Sequence, residues 1–242
     1  MLIFILFYLI PDSTIHLDRI YNTIEQYNNK IYLASFIGNS INIMGTPGIK
    51  KTITFSDDVN YRIKDFAVTP FVIYLNNGRT IEKYYLTSGT REEVFTAKNI
   101  SSVIVTPNEE LVISDYYQHK LIFLDFLYNR RLTVSDINIK DMYFSDDILY
   151  ALINNAIQLY DEHGNIHETI KMPETSTNII VKDSTIFLYY EDKNRLYIRN
   201  DAWKIIELAC SIRDMAVLDH TLVILDDSGS SLCFYDLSRF EE

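Results

Sequence analysis

The chain has 242 residues and a formal net charge of −11, which argues against binding to a phosphate backbone because such binding needs a basic face. Apolar residues make up 48% of the sequence and aromatic residues 13%, so the chain can bury a large core of β-forming side chains. With only 7 glycines, most turns are expected to use Asn, Asp and Ser.

Residues 1–11 form an apolar N-terminal segment that stands apart from the rest. The stretch from Leu2 to Ile10 is uninterrupted and ends at Pro11, and it is too short to span a bilayer as a helix, which takes about 20 residues. Its length suits the apolar region of a secretory signal, although no basic residue precedes it and no small-residue cleavage site follows. We expect the remnant of an export signal, placing the protein in the periplasm, cell envelope or medium. A buried strand in a cytoplasmic protein is the alternative.

One short β-rich sequence motif recurs six times in the remaining chain, and its copies begin 40, 40, 37, 38 and 36 residues apart. Its copies are Ile31-Tyr32-Leu33, Phe71-Val72-Ile73, Leu111-Val112-Ile113, Ile148-Leu149-Tyr150, Ile186-Phe187-Leu188 and Leu222-Val223-Ile224. A fixed period of this size in β-rich sequence is typical of a β-propeller with one blade per repeat. The sequence therefore predicts an all-β, six-bladed β-propeller domain over residues 12–242.

Each repeat is predicted to form four antiparallel strands, clearest in the third, with strands at 102–105, 111–114, 120–124 and 130–134. The third strands of four repeats end in Asp125, Asp161, Asn200 and Asp236, whose recurrence indicates that they cap the following turn. The predicted blades are 19–57, 60–98, 100–136, 138–173, 176–210 and 212–242. The last lacks its outer strand, which residues 13–18 are expected to supply, removing an exposed sheet edge.

Several phrases resemble those of six-bladed propellers of the NHL and YWTD types, especially the exported propellers common in Bacteroidetes-like bacteria. They are Ile63-Lys64-Asp65-Phe66, Ile139-Lys140-Asp141-Met142, Ile212-Arg213-Asp214-Met215 and the run from Val105 to Asp115. The resemblance covers residues 13–240 and implies a binding or scaffold protein, since a minority of such propellers are enzymes such as gluconolactonase-like hydrolases. The chain departs from the NHL pattern in having few glycines.

A polar residue occupies the entry to the first strand of every repeat. The even repeats have Asp65, Asp141 and Asp214, each after a basic residue, and the odd repeats have Asn22, Ser102 and Asn178. In a propeller the first strand lines the central channel, so these side chains would form a ring at its mouth. The ring could bind a solute or a hard cation such as Ca²⁺, which takes oxygen ligands, or it could support catalysis. Alternatively, each Asp accepts backbone N–H bonds from a neighbouring blade and holds the blades together.

No catalytic constellation is evident elsewhere, since the sequence has no nucleophile elbow, phosphate loop or zinc spacing. Cys210 and Cys233 are interpreted as two buried free thiols. Tyr116, Tyr117 and Trp203 fall in predicted turns and could contact a partner. The predicted function is a non-catalytic propeller, without a required cofactor, that docks a protein or peptide on one face. The alternatives are a metal-dependent hydrolase or lactonase with its cation at the channel mouth, and a glycan-binding propeller.

Overall fold

The computed structural model describes residues 7–35, 39–45, 49–55, 61–191 and 193–240. Within these ranges the regular elements are β-strands and one 3₁₀-helical turn, so the all-β prediction is confirmed. No helix in the described ranges is long and apolar enough to cross a membrane.

The strands follow the predicted four-per-repeat spacing. The first six are β1 Phe7–Leu9, β2 Ser13–His16, β3 Thr23–Tyr27, β4 Lys30–Ser35, β5 Ser40–Met44 and β6 Ile49–Thr54. The next thirteen are β7 Asp65–Val68, β8 Val72–Asn76, β9 Thr80–Tyr85, β10 Arg91–Thr96, β11 Ile100–Val105, β12 Leu111–Asp115, β13 Lys120–Leu124, β14 Arg130–Ser135, β15 Asp141–Ser145, β16 Ile148–Leu152, β17 Ala156–Tyr160, β18 Ile166–Lys171 and β19 Asn178–Lys182. The last are β20 Thr185–Tyr189, β21 Lys193–Arg199, β22 Trp203–Leu218, β23 Thr221–Asp226 and β24 Ser231–Asp236, followed by the 3₁₀ turn Leu237–Phe240.

The chain divides into two compact units. Unit 1 comprises Met1–Arg62 and Thr185–Glu242, and unit 2 comprises Ile63–Ser184. Unit 2 contains three four-stranded antiparallel sheets in which consecutive strands are neighbours: β7 to β10, β11 to β14 and β15 to β18. Their first strands lie side by side, β7 against β11 and β11 against β15, and β15 also contacts β19. This meander, with its first strand packed against that of the next sheet, is the arrangement of propeller blades.

Unit 1 contains a fourth four-stranded sheet, β3 to β6, and a larger sheet that includes the order β20-β21-β22-β23-β24-β2. The larger sheet arises because β22 is 16 residues long. Its residues 203–207 pair with β21, residues 214–218 pair with β23, and Ile212 between them pairs with both strands. The structure therefore shows four separate four-stranded sheets and one larger sheet where the sequence predicted six separate blades. The physical reason is that no Gly, Pro, Asn or Asp interrupts residues 204–212, so the chain stays extended.

The N-terminal strand β2 pairs antiparallel with β24, with Ser13 opposite Phe234 and His16 opposite Ser231. The pairing expected for residues 13–18 is thus present in the structure. Before it, β1 runs parallel to the first part of β22, with Leu9 opposite Leu208. Residues 1–6 of the predicted apolar segment lie outside the described ranges.

Turns depend on Asn, Asp and Ser, as the low glycine content predicted. Asn28, Asn39, Asp136, Asp183 and Ser184 have positive φ values between 43° and 62°. Such left-handed backbone is most accessible to glycine and, among other residues, to Asn and Asp.

The apolar core lies between neighbouring sheets within each unit. In unit 2, one cluster joins Ala67 and Tyr74 of the first sheet to Val103 and Ile113 of the second. A similar cluster joins the second sheet to the third. In unit 1, side chains of β3 to β5 pack against those of β22 to β24. Because sheets pack against both faces of their neighbours, central strands such as β8 and β12 are buried at every position.

Candidate functional site: the aspartate positions and an apolar edge

The three aspartates occupy equivalent places in their sheets. Asp65 and Asp141 are the first residues of β7 and β15, and Asp214 lies in β22 where its pairing with β23 begins. All three side chains are partly buried. Asp65 and Asp141 belong to unit 2, and Asp214 belongs to unit 1.

In unit 2, each aspartate accepts a hydrogen bond from the backbone of the next repeat. Asp65 Oδ2 accepts the N–H of Val103 at 2.8 Å, and Asp141 Oδ2 accepts the N–H of Ile179 at 2.9 Å. Both bonds span 38 residues, the length of one repeat. The carboxylates therefore bridge the first strand of one sheet to the first strand of the next.

The lysine before each of these aspartates makes a second bridge in the same direction. Lys64 Nζ donates to the carbonyl oxygen of Ile100 at 3.0 Å, and Lys140 Nζ donates to that of Ser176 at 3.3 Å. Both bonds span 36 residues. A Lys-Asp pair thus donates to one backbone carbonyl and accepts from one backbone N–H of the following repeat, which explains why the two residue types occur together.

Asp214 accepts four hydrogen bonds. Its Oδ2 accepts bonds from the Thr23 hydroxyl at 2.6 Å and the Ile24 N–H at 2.9 Å. Its Oδ1 accepts bonds from the Tyr189 hydroxyl at 2.5 Å and the Met215 N–H at 2.9 Å. Burial raises the pKa of Asp214, whereas the four hydrogen bonds act in the opposite direction. The carboxylate ties β22 to β3 and β20 within unit 1.

The polar residues of the odd repeats lie beside the N–H groups that these aspartates bind. Each stands one or two positions before its donor: Asn22 before Ile24, Ser102 before Val103, and Asn178 before Ile179. The alternation therefore has a structural basis, because even repeats supply the acceptor and odd repeats supply the donor. The bridged repeats are the second with the third, the fourth with the fifth, and the sixth with the first.

This arrangement supports the interpretation that the carboxylates hold neighbouring sheets together. Throughout the described ranges, no group of three or more His, Cys, Asp or Glu side chains is placed to hold a metal ion. Binding of a solute or of Ca²⁺ at these residues stays a prediction.

The residues predicted to contact a partner differ in exposure. Tyr116 and Tyr117, in the turn between β12 and β13, are 48% and 64% exposed, and Lys98 lies over the Tyr117 ring at 5.4 Å. Trp203 is the first residue of β22, pairs with Arg199 and is only partly exposed.

A second exposed apolar surface, which the sequence analysis missed, lies in unit 2. Phe71, Phe126 and Leu127 are each 64% exposed. Phe71 lies in the turn from β7 to β8, and the other two lie in the turn from β13 to β14. First-to-second and third-to-fourth strand turns fall at the same end of antiparallel sheets. We call these three residues, with Tyr85 and Tyr128, the aromatic edge.

Side chains of the first two sheets of unit 2 contact each other beside the aromatic edge. The Tyr74 and Tyr128 hydroxyls are 3.3 Å apart. Lys83 Nζ lies 5.0 Å from the ring centre of Tyr85 and 5.1 Å from that of Tyr128. The only sequence signal for this edge was the turn cap at Asp125, which leaves the apolar residues after it facing solvent.

No family model matches the sequence, and no curated protein matches it either. Solved structures do match. A selenomethionine-substituted virginiamycin B lyase from Staphylococcus aureus is 10% identical, with a TM-score of 0.68 and coverage of 92% of this chain and 98% of that chain. A streptogramin B lyase is 11% identical, with a TM-score of 0.68 and coverage of 93% and 97%.

A chain in a mitotic checkpoint complex is 11% identical, with a TM-score of 0.62 and coverage of 88% of this chain and 73% of that chain. At these identities the likeness establishes the fold alone, because one fold hosts many functions. The chain has an all-β, propeller-like fold.

Proposed function

We propose that this chain is a non-catalytic binding propeller of six blades that docks a protein or peptide through the aromatic edge. Six blades are supported by the six repeats and by the two halves of β22, which pair with different strands. The first half would be the outer strand of a fifth blade and the second half the inner strand of a sixth, completed by β2.

The observation that carries the proposal is the exposure of Phe71, Phe126 and Leu127. Isolated exposed apolar residues are common on protein surfaces, but here three come from two contacting sheets. Removing a large apolar side chain from water contributes about 1.5–3 kcal/mol when burial is complete. Aromatic residues, including Phe and Tyr, are enriched in the buried centres of protein–protein interfaces.

The turn that carries Phe126 and Leu127 is also ordered before any partner arrives. Asp125 Oδ1 accepts the N–H groups of Leu127 and Asn129, both at 2.9 Å, which fixes the turn that carries the exposed pair. Tyr128 is held by Tyr74 on the adjacent sheet. A surface ordered in advance loses less conformational entropy on binding.

The opposite end of β12 and β13 carries Tyr116 and Tyr117, which stay candidates for a second contact. Water can hydrate the hydroxyl groups of Tyr116 and Tyr117, so exposing these side chains to solvent is less unfavourable than exposing Phe126 or Leu127. The proposal therefore places the main contact at the aromatic edge.

The test compares variants on proteins captured from extract of the source cells, quantified by mass spectrometry. The variant Phe126→Asp/Leu127→Asp is expected to lose partners that the wild type retains. Ile166→Asp is the matched control, since Ile166 is 53% exposed on β18 of the same unit. Equal capture by all three proteins would refute the proposal. Loss only with Tyr116→Asp/Tyr117→Asp would place the contact at the opposite edge.

Export of the chain stays a prediction that rests on the apolar segment 1–11. Intact-mass measurement of protein from the source cells tests it, because a cleaved signal would leave a chain that lacks β1. Glycan binding, suggested by the aromatic content, is tested by screening the wild type and the Tyr116→Asp/Tyr117→Asp variant against a glycan array.

A further inference from the structure

Exposed acidic side chains lie at the same end of unit 2 as the aromatic edge. The turn from β11 to β12 carries Glu109, and the turn from β15 to β16 carries Asp146 and Asp147. All three residues are exposed. Turns between first and second strands lie at the same end of antiparallel sheets as turns between third and fourth strands. We call these three residues the acidic rim.

The register of the second sheet sets Glu109 beside the exposed apolar pair. Leu111 of β12 pairs with Leu124 of β13. Glu109 precedes Leu111 by two positions and Phe126 follows Leu124 by two positions, so the two turns begin at neighbouring strand ends. Neighbouring strands are about 4.8 Å apart. The rim and the aromatic edge therefore adjoin within one sheet.

Contacts at this end also join the three sheets of unit 2. Arg131 of β14 lies 3.2 Å from Glu110 of its own sheet and donates a hydrogen bond of 2.7 Å to the carbonyl oxygen of Glu162 in the third sheet. Tyr74 and Tyr128 join the first sheet to the second. Packed sheets are about 10 Å apart, so an extended segment of about six residues can cross all three sheet ends.

The acidic rim keeps its negative charge toward solvent. The nearby guanidinium groups of Arg91 and Arg131 are already paired with Glu82 and Glu110. Arg130 is an exposed basic residue in the same turn region, at the start of β14. Among the described residues, no group of acidic side chains is placed to hold a metal ion. The surface therefore combines exposed apolar side chains with carboxylates that a basic partner would complement.

We propose that the partner docked at the aromatic edge is a protein segment of net positive charge. Its apolar side chains contact Phe71, Phe126 and Leu127, and its lysine or arginine side chains face the acidic rim. The inference rests on the function proposed above and specifies the chemistry of the partner. Charges at the rim of an interface chiefly accelerate association and select partners, so this rim disfavours acidic segments.

The experiment selects binders on the full chain from a phage-displayed library of random peptides of about 12 residues, long enough to cross the three sheet ends. Selected peptides are synthesised, and fluorescence anisotropy measures their dissociation constants with the wild type and with Phe126→Ser/Leu127→Ser. Serine removes the apolar contacts without adding charge. Peptides that need the aromatic edge are expected to contain more Lys and Arg than Asp and Glu.

A second variant removes the charges of the rim and keeps the size of its side chains: Glu109→Gln/Asp146→Asn/Asp147→Asn. Positions 146 and 147 have positive φ, which Asn tolerates as Asp does. The matched control removes three exposed charges of unit 2 outside these turns: Asp136→Asn/Glu168→Gln/Glu174→Gln. The rim variant is expected to bind the selected peptides roughly tenfold more weakly, whereas the control should bind them like the wild type.

Salt gives a readout that needs no variant. Raising NaCl from about 0.1 M to about 1 M shortens the Debye length from about 10 Å to about 3 Å and should weaken peptide binding. Edge-dependent peptides that are neutral or acidic, or that bind the rim variant as tightly as the wild type, would overturn this inference and leave the proposed function in place. A selection that yields no peptide sensitive to Phe126→Ser/Leu127→Ser would overturn both.

Discussion

Replacing Asp214 with Ala tests whether the aspartate positions hold neighbouring sheets together. The substitution removes the acceptor of two backbone N–H groups, those of Ile24 and Met215, and of the hydroxyls of Thr23 and Tyr189. The hydroxyls can rotate toward other acceptors, but the two N–H groups are fixed by their strands.

A buried donor left without a partner costs about 1–3 kcal/mol, so two fixed donors cost about 2–6 kcal/mol. Removing a desolvated charge offsets part of this cost, because burial disfavours the ionised form of Asp214. The expected net loss of unfolding free energy is about 3 kcal/mol. For a chain of this length that loss lowers the melting temperature by roughly 6–12 °C.

Thermal and urea denaturation at pH 7 measure the loss, with Asp201→Ala as the control. Asp201 is exposed in a turn, so its replacement is expected to change stability by less than about 0.5 kcal/mol. If Asp214→Ala had the same melting temperature as Asp201→Ala, the interpretation that Asp214 holds neighbouring sheets together would be wrong.

Asp214→Asn gives an independent check through pH. The pKa of Asp214 is higher in the folded chain than in the unfolded chain, where it is about 3.8, so protonation favours the folded state. This contribution to the free energy of unfolding is complete below pH 3.8 and is lost as the pH rises through the folded-state pKa. Since Asn does not titrate, the stability of the wild type relative to Asp214→Asn is expected to increase as the pH falls toward 4. A difference that stays constant between pH 4 and pH 7 would contradict the raised pKa.

Four further outcomes are expected. Deleting residues 10–18 removes β2 and should lower the melting temperature by more than about 5 °C, because β24 keeps β23 but loses its second partner strand. An unchanged melting temperature would contradict the closure. Gly229→Ala places a Cβ atom 2.2 Å from the Tyr21 carbonyl oxygen at a φ of +69°, so it should destabilise the fold, and a neutral effect in urea denaturation would rule out this close approach. Hydrogen bonds within their turns lower the pKa of Asp161 and Asp236 in the folded chain. Both carboxylates therefore stabilise the fold above about pH 3.8, and this stabilisation is lost as the pH falls through the lowered pKa values. The free energy of unfolding of Asp161→Ala should accordingly decrease less on acidification than that of the wild type. Addition of Ca²⁺ or EDTA should leave the melting curve unchanged, and a rise with Ca²⁺ would support the cation site.

Sequence reasoning was most reliable where one residue type recurs at a fixed spacing. The turn-capping role predicted for the aspartates after the third strands is confirmed at Asp125, Asp161 and Asp236, whose Oδ1 atoms each accept backbone N–H bonds within the following turn. These contacts are local, so the sequence contains both partners within a few positions. The alternation of Asp with Asn or Ser was also visible in the sequence.

The donors to the bridging aspartates could not be named in advance. Val103 and Ile179 are ordinary strand residues, and their N–H groups carry no sequence signal. The same limit explains the exposed residues that the sequence analysis missed, because Phe126 and Leu127 were indistinguishable from core residues by type. Cys210 and Cys233, interpreted as two buried free thiols, are free in the structure, with Cys233 buried and Cys210 partly exposed.

The sequence by itself determined the β-rich class, the number of repeats, the turn chemistry and the pairing of the N-terminal strand with the last one. These properties depend on residue type at regular spacing, which a linear pattern records. Only the tertiary structure decided that β22 runs unbroken through two repeats, which backbone groups bind Asp214, and which apolar residues stay exposed. Those outcomes depend on packing between segments far apart in the chain, where burial and hydrogen-bond geometry, rather than local propensity, select the contacts.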